Sequence, residues 1–403
     1  MRFRAEVGIA ESLAQLLADP CQEVRLTVVG ALGALARAGC GGQNELVRCL
    51  DARDPDVRGA AVLVLAADTA AESKVARVLS DPAARTRARI AAAEVLGRMR
   101  GPQSFSVLSQ MLAVRDDSLL EAVIRLLPWF GESLAIRPLL VCLRREQVRT
   151  RVVVAQALGE LRSPESASAL IQLLGAREPE LVAAAVRAVA RLRDTAAIRP
   201  LVRILASRPE LDPAAVNRAL ILLGPVASPA VADLLRSEDD ELRVRVIGIL
   251  GRTDGDSAVR ALVQALPDWR CGPAAAQALA GLGWEPEGPA DKIHYEIARR
   301  AGRHLTIHSE ELTRVLREDI RSEIRRVREN AIYAAVALGA THLVDDLAAA
   351  IARQGSRSLA ECFINSGHPK LIAAGEDWAR RHGYFAVAGQ TSSDVRWGDW
   401  TSQ

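Results

Sequence analysis

Ala135 to Leu143 reads AIRPLLVCL and Ala197 to Leu205 reads AIRPLVRIL, with SASALIQLL at Ser166 to Leu174 between them. The three strings start at residues 135, 166 and 197, two steps of 31. Near-identity at a fixed short period marks an array of one supersecondary unit, each copy too small to bury its apolar face alone and completed by stacking on the next.

Outward from these strings, each unit carries a Leu-Gly-like pair near its end. The pairs are Leu32-Gly33, Leu65-Ala66, Leu96-Gly97, Leu127-Pro128, Leu158-Gly159, Val189-Ala190, Leu223-Gly224, Leu250-Gly251 and Leu279-Ala280, in steps of 33, 31, 31, 31, 31, 34, 27 and 29. Apolar residues recur at helical spacing on both sides of the unit, as in Ile136, Leu139, Leu140 and Leu143 and then Val148, Val152, Ala155 and Leu158. A unit is therefore two helices. Asp19-Pro20, Asp54-Pro55, Asp81-Pro82 and Asp212-Pro213, with Glu178-Pro179 as a weaker version, predict the start of second helices. There a carboxylate accepts an orphan N–H, and proline at the first helical position loses nothing.

Composition agrees with an all-α chain. Hydrophobic residues make up 49% but aromatics only 3%, and just three methionines occur in 403 residues. The formal charge of +3 excludes a global field for nucleic acid or membrane, so any basic surface is local. Of the 52 basic residues only Lys74, Lys292 and Lys370 are lysines, which codon usage in GC-rich DNA explains simply. Cys21, Cys40, Cys49, Cys142, Cys271 and Cys362 show no Cys-x-x-Cys spacing, the opening residues have no signal-like apolar run, and no membrane span is evident. A reduced, cytoplasmic setting is expected.

The strings DPDVRGAAVLVLA at Asp54 to Ala66, QEVRLTVVGALGAL at Gln22 to Leu35 and QVRTRVVVAQALGEL at Gln147 to Leu161 resemble the bacterial HEAT-like repeats of the phycobilisome-lyase type. The resemblance covers Ile9 to Trp284. It implies an all-α, right-handed α-solenoid of HEAT-like helix pairs with second helices on the concave face. The organisation expected is residues 1–284 as an array of roughly nine repeats, 285–383 as an irregular insert with C-terminal helical repeats and a cap, and 384–403 as a tail. Within the tail, Trp397 and Trp400 are expected to be disordered or folded back on the cap, or else to dock a partner.

Searching for chemistry yields no phosphate-binding Gly-rich loop, no Gly-x-Ser-x-Gly and no His-Glu-x-x-His. Deoxyhypusine hydroxylase is also built from HEAT-like repeats and holds two irons with His-Glu dipeptides. This chain has no His-Glu dipeptide and no histidine before His294, which disfavours that activity. His304 and His308, with Glu310 and Glu311 nearby, have metal-like spacing. However, Ser309 reads as a helix cap, which splits the pair, so no metal and no cofactor are expected. Bilin lyase activity would need a chromophore pocket that nothing in the sequence indicates.

What remains is surface. Arg25, Arg58, Arg89, Arg149, Arg243 and Arg328 recur at second-helix starts, where a ladder to turn aspartates Asp19, Asp54, Asp81 and Asp239 is the simple reading. The run LRREQVRTRV is less neutralised than EDIRSEIRRVREN, so Arg144, Arg145, Arg149 and Arg151 are the candidate partner-binding arginines. Trp129 and Phe130, replacing the usual helix end, and Trp269 in a later turn either plug the core or anchor a partner. The function expected is a non-catalytic protein–protein interaction scaffold or adaptor. Its alternatives are a nucleic-acid or phosphate-binding module through local arginine patches, and a non-catalytic subunit of an enzyme complex.

Overall fold

A computed structural model describes residues 2–208, 211–301, 304–305, 309–385, 396 and 398–400, with side chains from residue 8 onward. Trp397 and His308 lie outside the described residues. Every regular element among the described residues is helical, in the all-α class. The chain forms two compact units, Met1–Ile204 with Arg208–Ala219, and Leu205–Ser207 with Leu220–Gln403.

In the first unit, helix pairs follow one another as the period requires. Gln43–Cys49 pairs with Pro55–Ala66, Glu72–Ser80 with Thr86–Met99, Pro102–Met111 with Asp117–Leu126, Glu132–Cys142 with Val148–Leu161, and Pro164–Leu173 with Pro179–Leu192. The AIRPL string lies on a first helix, with Pro138 inside Glu132–Cys142. Leu32, Leu65, Leu96 and Leu158 of the Leu-Gly pairs are all fully buried.

Backbone dihedrals show the period more cleanly than the Leu-Gly pairs do. Arg100, Gly131, Arg162, Arg193, Gly224 and Gly255 all have positive φ (56°, 87°, 53°, 55°, 69° and 125°) and follow one another in steps of 31. The uneven steps of 34 and 27 were therefore local slips of the Leu-Gly pair, not changes of unit length. Arg100, Arg162 and Arg193 are left-handed caps that stop second helices. Glycine adopts this conformation freely; arginine does so at a cost of about 1–2 kcal/mol.

Second helices lie against each other through the glycine of the Leu-Gly pair. A Cβ on Gly159 would stand 2.7 Å from Ala188 Cβ and 2.8 Å from Ala188 Cα. Gly97 faces Leu126 and Gly33 faces Val64 in the same register, on the residue just before the next unit's pair. The glycine is thus a condition of close helix approach.

The Asp-Pro expectation holds at two of the four positions. Asp54 and Asp212 accept the N–H groups of Asp56 and Ala214, each at 2.9 Å, with proline next. Asp19 and Asp81 instead turn the chain ahead of the helix, which starts at Gln22 and at Thr86. Glu178 stands at a helix start without a side-chain capping bond, because its extra methylene overshoots.

Two such carboxylates make acid stability predictable. The Asp56 N–H and the Arg25 guanidinium hold the Asp54 carboxyl below the usual range, and a hydrogen bond from the Thr86 hydroxyl does the same for Asp116. Lowered native pKa values add stability that is complete above the unfolded value of about 3.9 and is lost as pH falls through the native one. Melting temperature measured down a pH series should drop below about pH 4, and Asp116→Asn should flatten that limb.

The second unit holds Asp240–Leu250, Asp256–Ala265, Gly272–Gly281 and then the irregular stretch, which resumes as Pro289–Ala298 with Ile293 and Ile297 buried. Tyr295 of that helix meets Trp284 edge-on at 5.5 Å. Two further pairs follow, Glu310–Ile320 with Arg325–Ala337 and Val344–Gln354 with Arg357–Asn365, closed by Pro369–Arg381. Ser309 caps its helix as expected, accepting the Leu312 N–H at 3.2 Å. One helical stretch, Pro213–Arg236, is long and apolar enough by composition to cross a membrane, with a mean hydropathy of 1.5. It breaks into 3₁₀ turns at Gly224–Ala227, and the core helix of a soluble protein passes the same test.

Candidate functional site

The arginines at second-helix starts prove to be turn fasteners. Arg25 Nη1 donates to the carbonyls of Asp19 and Pro20 at 2.7 and 3.0 Å, and Arg58 Nη1 to those of Ala52 and Arg53. Arg243 and Arg328 reach back six residues in the same way, to Ser237 and Ser322. Arg25 also pairs with Asp54 of the next unit at 2.7 Å. A long cationic side chain here satisfies carbonyls that a tight turn leaves orphaned.

The residue in this register on the helix Val148–Leu161 is Arg151, the fourth helical residue as Arg25 is of Gln22–Arg37. Arg149, grouped with the ladder on sequence, sits two residues earlier and points elsewhere. Its guanidinium meets the buried Glu121 carboxylate at 2.5 Å while its own side chain is 83% exposed. Arg125 approaches the same carboxylate at 3.8 Å. Arg151 is half-buried, 3.9 Å from Glu178, with its Nε buried and without a hydrogen-bond partner. Arg145 donates to the Leu112 carbonyl of the preceding unit, and Arg144 is exposed in the turn. The four candidate arginines therefore do not converge: at 100° per residue, Arg149 and Arg151 lie about 200° apart around the helix.

Trp129 and Phe130 sit in a 3₁₀ turn, Leu127–Phe130, and pack half-buried against the first unit's core. Phe130 meets Phe105 with ring centroids 5.4 Å apart. Trp129 keeps one face toward the solvent side of the second helices, where the Arg98 guanidinium lies 5.8 Å from its centroid. Trp269 meets Tyr333 at 4.6 Å with the rings tilted by 35°, against the second unit's core, with Arg300 over its ring. Both tryptophans thus have a packing role.

That solvent side carries arginines the sequence reading passed over. Arg98 and Arg191 lie at 31-residue multiples from Trp129, and Arg125, Arg187 and Arg218 form a second row with the same spacing. Arg187, Arg191 and Arg218 are exposed, and among the described residues they make no ion pair. Aligning the chain on its 31-residue period was the signal that could have found them, because equivalent positions of adjacent second helices become neighbours. The arrangement is an open surface of forked cations beside an indole, suited to carboxylates or phosphates.

Open hollows lie elsewhere. One, about 980 Å³ near the start of the chain, is lined by Leu17, Arg25, Glu45, Cys49, Ala52 and Asp54. Burial, helped by Glu45, pushes the Cys49 thiol up to about 11 and leaves it unreactive. Among the described residues no group of His, Cys, Asp or Glu has the geometry to hold a metal ion. His304 lies outside any such group.

Residues 44–128 and 136–221 match the HEAT-repeat family. No curated protein matches the chain. Among solved structures it is similar to human deoxyhypusine hydroxylase in complex with glycerol, at 21% identity over 68% of this chain and 96% of that one, with a TM-score of 0.30. It is also similar to the complex of CpcE and CpcF of phycocyanin lyase from Nostoc sp., at 21% identity over 55% and 92%, TM-score 0.33. A third similar structure is the karyopherin Kap121p bound to the extreme C-terminus of the protein phosphatase Cdc14p, at 14% identity over 89% and 45%, TM-score 0.46. With helix pairs in steps of 31 residues and glycine-mediated contacts between second helices, residues 44–128 and 136–221 are HEAT repeats in an all-α chain.

Proposed function

We propose that this protein is a non-catalytic interaction scaffold that holds an acidic segment of a protein partner along the second helices of its first unit. One observation carries the reading: Arg187, Arg191 and Arg218 are exposed, with no ion pair among the described residues, on the side of the second helices where Trp129 presents a ring face. Solvated arginines are ordinarily neutralised by neighbours at helical spacing, as Arg98 is by Glu94 at 3.0 Å. Three that are not leave a local positive field on a chain of nearly balanced charge. Among the arginines named from sequence, Arg144 is exposed in the turn before a second helix, whereas Arg145, Arg149 and Arg151 serve the fold first. A cytoplasmic location goes with this reading.

Affinity capture from the native cell, with wild type and an Arg187→Glu/Arg191→Glu variant side by side, tests it. The variant should lose a partner that wild type retains, with affinity down about 10- to 100-fold and melting temperature unchanged, because both side chains are exposed rim charges. Equal capture by both proteins rejects the surface. The same two proteins titrated with an oligonucleotide distinguish the phosphate-binding alternative, for which affinity falls steeply and linearly in log salt.

A further inference from the structure

The helix Arg325–Ala337 differs from the second helices of the first unit. Those leave a polar stripe in solvent, such as Gln156 and Glu160 on Val148–Leu161, whereas Ala331 to Leu338 are eight consecutive buried residues. The sequence AIYAAVALGA carries no charge from residue 331 to 340. A helix apolar on every side must be covered on every side.

The last cover is the chain's own C-terminus. The Gly398 N–H donates to the Val336 carbonyl at 3.0 Å, and the Trp400 N–H to the Ala337 carbonyl at 2.9 Å. These acceptors are among the last carbonyls of the helix; Val336 also accepts the Gly339 N–H at 3.0 Å, so the Gly398 N–H takes its second lone pair. A tight turn presents the two donors: the Arg396 N–H bonds Asp399 Oδ2 at 2.7 Å, the Asp399 N–H bonds the Arg396 carbonyl, and Gly398 takes φ +79°. The Trp400 indole packs on the second unit's core. Upstream, Tyr384 is held by its hydroxyl's hydrogen bond to Glu361 and by the Arg357 guanidinium 4.4 Å from its ring.

We propose that the end of helix Arg325–Ala337 is a recognition site for a short peptide of the form Gly-Asp-Trp, and that the chain's C-terminus is its resident, displaceable ligand. The elements of peptide recognition are all present: alternate backbone N–H groups fix the register, one aromatic anchor fills an apolar seat, and the turn preorganises both. Ten residues separate Phe385 from Arg396. A ligand carried on the same chain competes intramolecularly, so a competing partner must carry the same signature and bind more tightly than this local ligand. This site is independent of the arginine surface.

The test uses full-length protein and a fluorescent synthetic peptide with the sequence of residues 395–403. Trp400→Ala should bind the peptide at least tenfold more tightly than wild type, whose own C-terminus competes, and a peptide with its second tryptophan changed to alanine should bind neither. Amide exchange gives a second reading: the Gly398 and Trp400 N–H groups should be protected in wild type and exposed in Trp400→Ala. Gly398→Pro, which removes one donor and cannot take the positive φ, should reproduce both effects if Trp400→Ala folds poorly. Equal peptide binding by wild type and a folded variant, no binding by either, or unprotected Gly398 and Trp400 amides in wild type would overturn the proposal.

Discussion

Replacing Arg243 by methionine should cost about 3–5 kcal/mol and lower the melting temperature by about 10 °C, more than any other single substitution in the second unit. Its side chain is 1% exposed. It bonds the Ser237 carbonyl at 2.9 Å, Asp240 at 2.6 Å and the Cys271 sulfur at 3.4 Å, and stands 3.4 Å from Asp268. Burial presses the guanidinium toward neutrality, but the Cys271 sulfur and the two carboxylates more than offset it, so its pKa rises. Methionine keeps the aliphatic bulk and removes only the charge; the Ser237 carbonyl keeps the Arg326 guanidinium at 2.9 Å, but the nearly buried Asp268 carboxylate loses one of its two cations. Asp268 retains Arg326 at 3.4 Å and still caps the N–H groups of Arg270 and Cys271. Asp268→Asn should therefore cost less than Arg243→Met, and the double variant should fall short of the sum because the two share one network. Chemical denaturation of the four proteins gives the cycle. A cost for Arg243→Met below about 1 kcal/mol would show that the buried charge contributes nothing net.

The role of Arg243 shows where sequence reading reached and where it stopped. Periodicity exposed the helix pairs, the cap at Ser309, the resumed helix after Trp284 and the final helix, because each depends on residues close in the chain. An arginine ladder was legible too, since its members recur at one place in the unit. The destinations of those arginines were not. Which carbonyl Arg25 fastens, and whether Arg149 or Arg151 occupies the ladder position, depends on a helix start displaced by a residue or two, where local signals are weakest. The surface was less legible still. LRREQVRTRV is dense in charge along the chain, but folding divides it among a turn, a buried glutamate and a half-buried register position. Arg187, Arg191 and Arg218 are sparse along the chain and become neighbours only when units stack. The recurring Leu-Gly pair held more than it gave up at first reading, because its glycine reports how closely consecutive second helices approach.

That approach makes Gly159 the most sensitive small residue of the first unit. Gly159→Ala adds one methyl group, and helix propensity alone would favour it by about 1 kcal/mol. The methyl would lie 2.8 Å from Ala188 Cα, however, and backbone cannot rotate out of the way. The helices Val148–Leu161 and Pro179–Leu192 would have to separate. Overpacking of this kind costs about 1–3 kcal/mol for one methyl, and Gly159→Val should exceed that range. Gly33→Ala is the internal comparison: the atoms it meets belong to the Val64 side chain, which can leave its preferred helix rotamer without moving backbone, so its expected cost is smaller, about 1 kcal/mol. Because repeats are stabilised by nearest neighbours, a fault between two second helices weakens the coupling of all units on either side. Thermal unfolding of Gly159→Val should thus broaden or split as well as shift, while Gly33→Ala should shift slightly and stay sharp. If the two glycines respond alike, the close contact at Ala188 is not what sets the spacing of the array.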